Sequence, residues 1–525
     1  MKPISIIWLA IAWMSSGWVA AVESGPVQPF ETDRFAVAPS EIDRLAFAAM
    51  REAGVEPALP CSDEVFLRRV HLDVAGRIPT LAETRAFLRD PSKDRRSRLI
   101  DRLLESDDHV DYWTMHWCDV LRVKSEFPIN LWPDAVQAYH RWIREQVAAN
   151  RPYDEMATEM LTASGSNFRD PAVNFYRAVP GKGPEPIAAA VALTFMGCRI
   201  EHWPQPIRTE FGKIFARLAF KPTAEWKEEI VCPDPACFDA LDVRLPDHHV
   251  IHVAPGEDGR VPFAAWLIAQ PRFAEAGANR VWAWVFGRGI VHEPDDLRPE
   301  NPAAIPGLLE HLGQAFAADG YDSRKLLRRI LHSRLYQLSS IPRSESSRVA
   351  ELFAAYPVRR LEAEVLLDTL CDLTGTREGY MSPIPEPFTH VPPSARSVRL
   401  ADGSITSPFL EMFGRSSRDS GHILERNNQV SDAQMLYLLN STELQNRLAR
   451  SPKLRALTRG KGSRKADQVV EAVYLSLLSR RPTHRESVAA LGDRAATRAP
   501  APPPPQQLED LVWALVNSKE FLHRH

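Results

Sequence analysis

At 525 residues the chain exceeds what one hydrophobic core usually serves, so two domains are expected. Its 44% hydrophobic and 25% charged residues are ordinary for a globular protein. With 64 basic against 67 acidic side chains the net charge is −3, which leaves no global field for nucleic acid and argues against it as a partner.

The N-terminus predicts export. Lys2 gives a short positive region, Ile4 to Val19 is largely apolar, and Val19-Ala20-Ala21 has the small residues that signal peptidase accepts. The apolar stretch falls short of the about 20 residues that a spanning helix needs. Residues 1–21 are therefore expected to be a signal peptide. The mature chain is expected to be periplasmic or secreted, with no stable membrane insertion after cleavage. Six cysteines (Cys61, Cys118, Cys198, Cys232, Cys237 and Cys371) are too sparse for a disulfide scaffold, although such a compartment permits bridges.

In chain order, Ser40 is placed to cap a helix carrying Ile42, Leu45, Ala46 and Met50 at helical spacing. Ser62 starts a second, with Val65, Phe66, Leu67 and Val70 as its apolar stripe. Pro79-Thr80-Leu81-Ala82-Glu83 is a capping box, Thr80 accepting a backbone N–H while Glu83 reaches back, and Pro482 to Glu486 repeats the signature. Helical runs over about 95–105, 110–123, 134–150 and 186–195 complete an N-terminal helical domain, 40–220. Residues 221–260 hold five prolines and the alternating stretch His249 to Val253, and suit a connector or small β insertion. Helical texture returns over 263–268, 273–286, 306–318 and 323–333, opening a C-terminal domain, 261–525. Within it, 380–408 is a loop rich in Pro and Ser. The basic, Gly-containing run Arg459 to Lys465 is a solvated linker, and Pro502 to Pro505 an extended spacer before a final amphipathic helix. The fold class is mainly α: two helical domains joined by a Pro-rich connector with a little β.

Several long motifs carry a resemblance. Phe66 to Thr80 (FLRRVHLDVAGRIPT), Asn279 to Val291 (NRVWAWVFGRGIV), Pro294 to Pro302 (PDDLRPENP), Ser333 to Ser339 (SRLYQLS) and Trp513 to Phe521 (WALVNSKEF) span nearly the whole mature chain. In these the sequence resembles the exported, planctomycete-type proteins that join domain of unknown function 1549 to domain of unknown function 1553, often beside a cytochrome-c-like domain. The resemblance implies export. It also implies a haem-attachment-like Cys-x-x-Cys-His in the first domain and a Cys-x-Cys before Glu-Arg in the second. The sequence departs at both places, reading Gly197-Cys198-Arg199-Ile200-Glu201-His202 and His422-Ile423-Leu424-Glu425-Arg426. Covalent haem c needs two thioethers and an axial histidine, so it is not expected here, and no other cofactor is expected.

The sequence lacks the Gly-x-Ser-x-Gly elbow, the His-Glu-x-x-His helix, the P-loop and the Gly-x-Gly-x-x-Gly turn. Asp295-Asp296 follows a Gly-Arg-Gly turn between Arg288 and Arg298. Adjacent carboxylates can bind a hard cation or share acid–base work, but arginines in reach would keep both ionised in a structural role. Glu425 to Gln429 is either a ligand-binding edge with Arg426 as an anion clamp, or a buried network fixing a loop before the helix at Ser431. Asp295, Asp296 and Glu425 are thus the catalytic candidates, and Asn279, Arg280, Arg298, Asn301, Arg426 and Asn427 the binding candidates. Apolar neighbours (Val281, Trp282 and Val285; Ile423 and Leu424) predict that the 279–301 and 425–427 segments adjoin, with at least one arginine–carboxylate contact.

Cys232, Cys237, His248, His249 and His252 lie within one connector. They suit a local disulfide with surface histidines, or alternatively a tetrahedral zinc site through Cys232, Cys237, His248 and His252. The tryptophans, Trp113, Trp117, Trp132, Trp142, Trp203, Trp226, Trp266, Trp282 and Trp284 among them, suit a tryptophan-rich core more than a carbohydrate-stacking surface. Three functions fit: an exported accessory or binding protein for extracellular polysaccharide use, a carboxylate-dependent hydrolase or lyase, and a redox-associated scaffold partnering a separate cytochrome c. The partners these imply are an extracellular glycan or another exported protein.

Overall fold

The helix starts lie where local capping chemistry puts them. Ser40 accepts the Asp43 N–H at 3.4 Å while the Asp43 carboxylate returns to the Ser40 N–H at 2.7 Å, opening the helix Glu41–Glu52. Ser62 caps Asp63–Ala75, and Thr80 with Glu83 closes the predicted box on Leu81–Arg89. Thr483 and Glu486 repeat that box. In both boxes an arginine six residues before the glutamate forks its carboxylate: Arg77 on Glu83 at 2.8 and 2.9 Å, Arg480 on Glu486 at 2.7 and 2.8 Å. The computed structural model describes residues 25–458, 465–491 and 504–525. The expected signal peptide, the run Arg459 to Arg464 and Pro502-Pro503 lie outside them. Pro505 departs from the expected spacer, because it opens the helix Pro505–Val516, where a missing N–H costs nothing.

The chain is mainly α with a little β. After helices Arg95–Leu104, Asp107–Val120, Pro133–Ala148 and Tyr153–Thr162, the chain runs through Pro184–Val191 into a single π turn, Ala192–Met196. Strand content in and around the connector exceeds the one stretch predicted. Glu229–Pro233 pairs antiparallel with Leu218–Pro222 on one side and with Gly165–Ser166 of the N-terminal half on the other. Leu241–Arg244 pairs with Val250–Val253, the stretch legible by alternation. Arg359–Arg360 pairs with His523–Arg524, so the C-terminus ends inside the fold.

One contiguous set of buried apolar side chains runs through both halves. Its centre is the helix Pro271–Phe286, whose Trp284 ring lies 5.4 Å from Trp113, 5.2 Å from Trp117 and 5.1 Å from His116 on Asp107–Val120. Beside these rings runs a buried ionic network. Arg524 donates to Asp73 at 2.8 Å, to the Tyr112 hydroxyl at 2.7 Å and to Glu362 at 2.5 Å. Among the described residues no helix is long and apolar enough to cross a membrane.

Candidate functional site

The segment 279–301 meets the chain just before Glu425–Asn427, at His422 and Ile423. The Asp295 carboxylate accepts the Ile423 N–H at 2.8 Å and lies 3.6 Å from Arg280. Arg280 is buried and donates to the Thr194 and Leu193 carbonyls at 2.7 and 3.2 Å. Those carbonyls belong to the π turn, whose irregular pairing leaves acceptors to be met from outside. Asn279 staples the loop beyond its own helix, donating to the Val291 carbonyl at 3.0 Å and accepting the Val291 N–H at 3.1 Å. Asn301 donates to the Asp296 carbonyl at 2.9 Å, and Arg298 pairs with the Asp296 carboxylate at 3.1 Å.

Glu425 is fully engaged by its own loop. It accepts from the Ser417 and Ser420 hydroxyls and from the N–H groups of Asp419 (2.8 Å), Ser420 (3.0 Å) and Gly421 (3.3 Å). Burial opposes its charge, but these donors together hold the carboxyl below its usual range. Arg426, the expected anion clamp, closes on protein carboxylates: Asp119 at 2.6 Å and Glu364 at 2.5 Å, with Arg418 completing Asp119 at 2.9 Å. The Asn427 backbone carbonyl accepts from Arg360 at 3.0 Å, and its side-chain oxygen from the Gln429 N–H at 2.9 Å. Of the three candidate carboxylates Asp295 is buried, whereas Asp296 and Glu425 are partly exposed, Asp296 beside a partly exposed histidine, His202, at 4.0 Å. The sequence alternatives thus separate: Asp295, Glu425 and Arg426 are tied into structural pairs, and no convergent pair of free carboxylates is formed.

A small cleft of about 240 Å³ lies against this network. Cys198, Arg199 and His422 line it, and His422 approaches Asp295 at 3.7 Å behind it. Cys198 is buried, donates towards the Leu297 carbonyl at 3.1 Å, and burial raises its thiol pKa. Arg122 also lines the cleft, and no local sequence signal marks it.

The connector candidates do not converge. Cys232 sits on Glu229–Pro233, Cys237 is exposed in the turn that follows, and both are free thiols, so the expected local bridge is not formed. His252 on the last strand pairs with Asp242 at 2.8 Å, and His248 occupies the turn before it with a φ of +67°. Among the described residues no group of three or more His, Cys, Asp or Glu side chains is placed to hold a metal ion. Strand pairing sets these side chains, and it spreads them along two hairpins.

Most of the tryptophans are core. Trp113, Trp117, Trp142, Trp282 and Trp284 are buried, and Trp203 and Trp266 pack partly buried against the same core. Two are not. Trp226, 69% exposed, lies 6.5 Å from Trp132, whose other side meets the 51% exposed Phe388 at 5.4 Å. Lys227 sits over both tryptophan rings, at 5.1 and 5.4 Å. These side chains come from three separate loops. Trp132 and Lys227 hold φ of +71° and +62°, a backbone region unfavourable for residues bearing a Cβ. Phe388, in the Pro- and Ser-rich loop, carried no sequence signal for this grouping.

The fold and these surfaces define a mainly helical protein with a buried ionic network and an exposed aromatic cluster. Residues 41–199 match the PSCyt2 family model, described as a protein of unknown function (DUF1549). Residues 259–492 match the PSD1 family model, described as a protein of unknown function (DUF1553). Together they cover most of the chain, which belongs to the family that joins these two domains. No curated protein and no solved structure matches the chain.

Proposed function

We propose that this chain is an exported binding protein that holds extracellular polysaccharide on the aromatic face of Trp132, Trp226 and Phe388. The observation that carries the reading is the exposure of this cluster. Aromatic side chains of this size stabilise a fold most when buried, yet here Trp226 and Phe388 are more than half exposed. The left-handed backbone at Trp132 and Lys227 adds conformational cost at the same place, and such strain concentrates at binding sites. Sugar rings offer C–H faces that stack on indole, and the Lys227 ammonium supplies a donor for their hydroxyls. A carboxylate-dependent hydrolase draws no comparable support, because Asp295 and Glu425 are committed to Arg280, Ile423 and the 417–421 loop.

Affinity electrophoresis of the mature chain through gels containing xylan, laminarin, alginate or carrageenan tests this reading. At least one polysaccharide should retard the protein. Trp226→Ala should relieve the retardation at least about tenfold in apparent Kd, since stacking contacts of this kind dominate a small interface. Its melting temperature should stay within about 1 °C, because exposed positions away from packed features contribute little to stability. Migration unaffected by every polysaccharide, or equal retardation of wild type and Trp226→Ala, would refute it.

A further inference from the structure

The helix Asp107–Val120 ends at Leu121, and the next residue, Arg122, has a φ of +55°. That position after a helix is usually Gly or Asn, because a Cβ is disfavoured there. An arginine in this conformation places its side chain at a point that a regular helix end would not reach. The residue is only 2% exposed. It donates to the Ala178 carbonyl at 3.0 Å and more weakly to the Ser420 carbonyl at 3.4 Å, while its second terminal nitrogen meets no hydrogen-bond partner. No carboxylate among the described residues forms an ion pair with it; burial lowers its pKa to about 10, which the more distant Glu425 charge only partly offsets. A buried cation without a counter-ion is costly, whereas the same charge is stabilised when an anion arrives.

Room has been made for it. Gly421, at φ +77°, passes so close that a Cβ there would stand 2.4 Å from the guanidinium. Arg122 borders the cleft of about 240 Å³ described above. Arg199 stands on the same cleft, one end of its guanidinium paired with Glu293 and its Nε unpartnered, and His422 joins it with Asp295 behind the ring. Of the two acids on the rim, Asp419 is neutralised by Lys124 at 2.5 Å and Glu201 is exposed. The lining also has an apolar part: Pro180, Pro186 and Ala189. The space is too small for a chain of sugars and suits one small molecule.

We propose that this cleft binds a small organic carboxylate, its charge facing Arg122 and Arg199 and its carbon face lying on Pro180, Pro186 and Ala189. The site is separate from the aromatic face, and neither depends on the other.

Thermal melts of the mature chain in sodium propionate and sodium glucuronate, against sodium chloride and sodium sulfate at matched ionic strength, test the assignment. A ligand that binds only the folded state raises the melting temperature with its concentration. At least one of the two carboxylates should do so beyond chloride and sulfate. Ala189→Leu fills the apolar wall without touching a charge and should weaken the apparent Kd at least about tenfold. Arg122→Met should abolish the response; if that variant does not fold, Ala189→Leu decides alone. No shift with either carboxylate, a shift that chloride or sulfate reproduces, or an unchanged response in Ala189→Leu would overturn the assignment.

Discussion

Replacing Arg524 by Met, one residue from the end of the chain, should destabilise the protein as severely as a core truncation. Its side chain is fully buried and joins Asp73, Tyr112 and Glu362, which are 451, 412 and 162 positions away in sequence. Removing one partner of a buried ion pair costs about 3–5 kcal/mol, because the carboxylates left behind keep their desolvation and lose their cation. Asp73 retains Arg359 at 3.1 Å and the Tyr336 and Tyr356 hydroxyls, so the larger burden falls on Glu362. Burial alone would raise the Glu362 carboxyl, but Arg524 foremost, with His116, Arg426 and Arg359, lowers it from 4.5 to about 2. That depression corresponds to roughly 3 kcal/mol of folding stability, present above pH 4.5 and lost as the pH falls towards 2. Arg524→Met should remove much of it, so the variant's stability should fall less steeply than wild type over that interval. Urea titrations followed by circular dichroism at pH 7, 4 and 3 measure both quantities. Adding Glu362→Gln to Arg524→Met should recover part of the loss, since the uncompensated charge is then gone. A variant within about 1 kcal/mol of wild type at pH 7, or one with an unchanged acid slope, would refute the reasoning.

Two further outcomes are expected. Burial lowers His109 and His116 to about 4 each, so both stay neutral in the folded chain while the unfolded chain takes up protons near 6.5. Each should therefore withdraw about 2 kcal/mol of stability as the pH falls from 7 to 5, and His116→Gln should give a shallower fall in the same titration. Asp295→Asn should cost about 1–3 kcal/mol by depriving buried Arg280 of its counter-charge. Asp296→Asn, whose carboxylate meets only the half-exposed Arg298 and His202, should cost under about 1 kcal/mol; equal losses in thermal melts would contradict the different burial of the two neighbours.

The adjacent pair Asp295-Asp296 shows how far chemistry can be inferred from residue type. Sequence placed arginines in reach and led to ion pairing, and both carboxylates do face arginine. It could not separate a carboxylate sealed behind Ile423 from one at the rim, because the partner segment lies about 128 residues on. Arg426 reads from sequence either as a clamp for a ligand anion or as part of a buried network; that Asp119 and Glu364 hold it depends on how its loop packs against two distant helices. The cysteines and histidines of the connector were near one another in sequence, and strand pairing drew them apart.

What the sequence by itself determined are features whose partners lie within a few residues: the Ser40, Thr80 and Thr483 caps, the apolar stripes behind them, the short strand at Val250–Val253 and the missing haem cysteines. Their energetics are local, so spacing and residue type suffice. The tertiary structure alone decided that Trp132, Trp226 and Phe388 meet on one exposed face, that Arg122 lies buried without an ion-paired carboxylate, and that His523 and Arg524 pair with Arg359 and Arg360 inside the molecule. Each of these depends on charge or area brought together from distant parts of the chain, and burial, which sets their cost, exists only once the whole chain has packed.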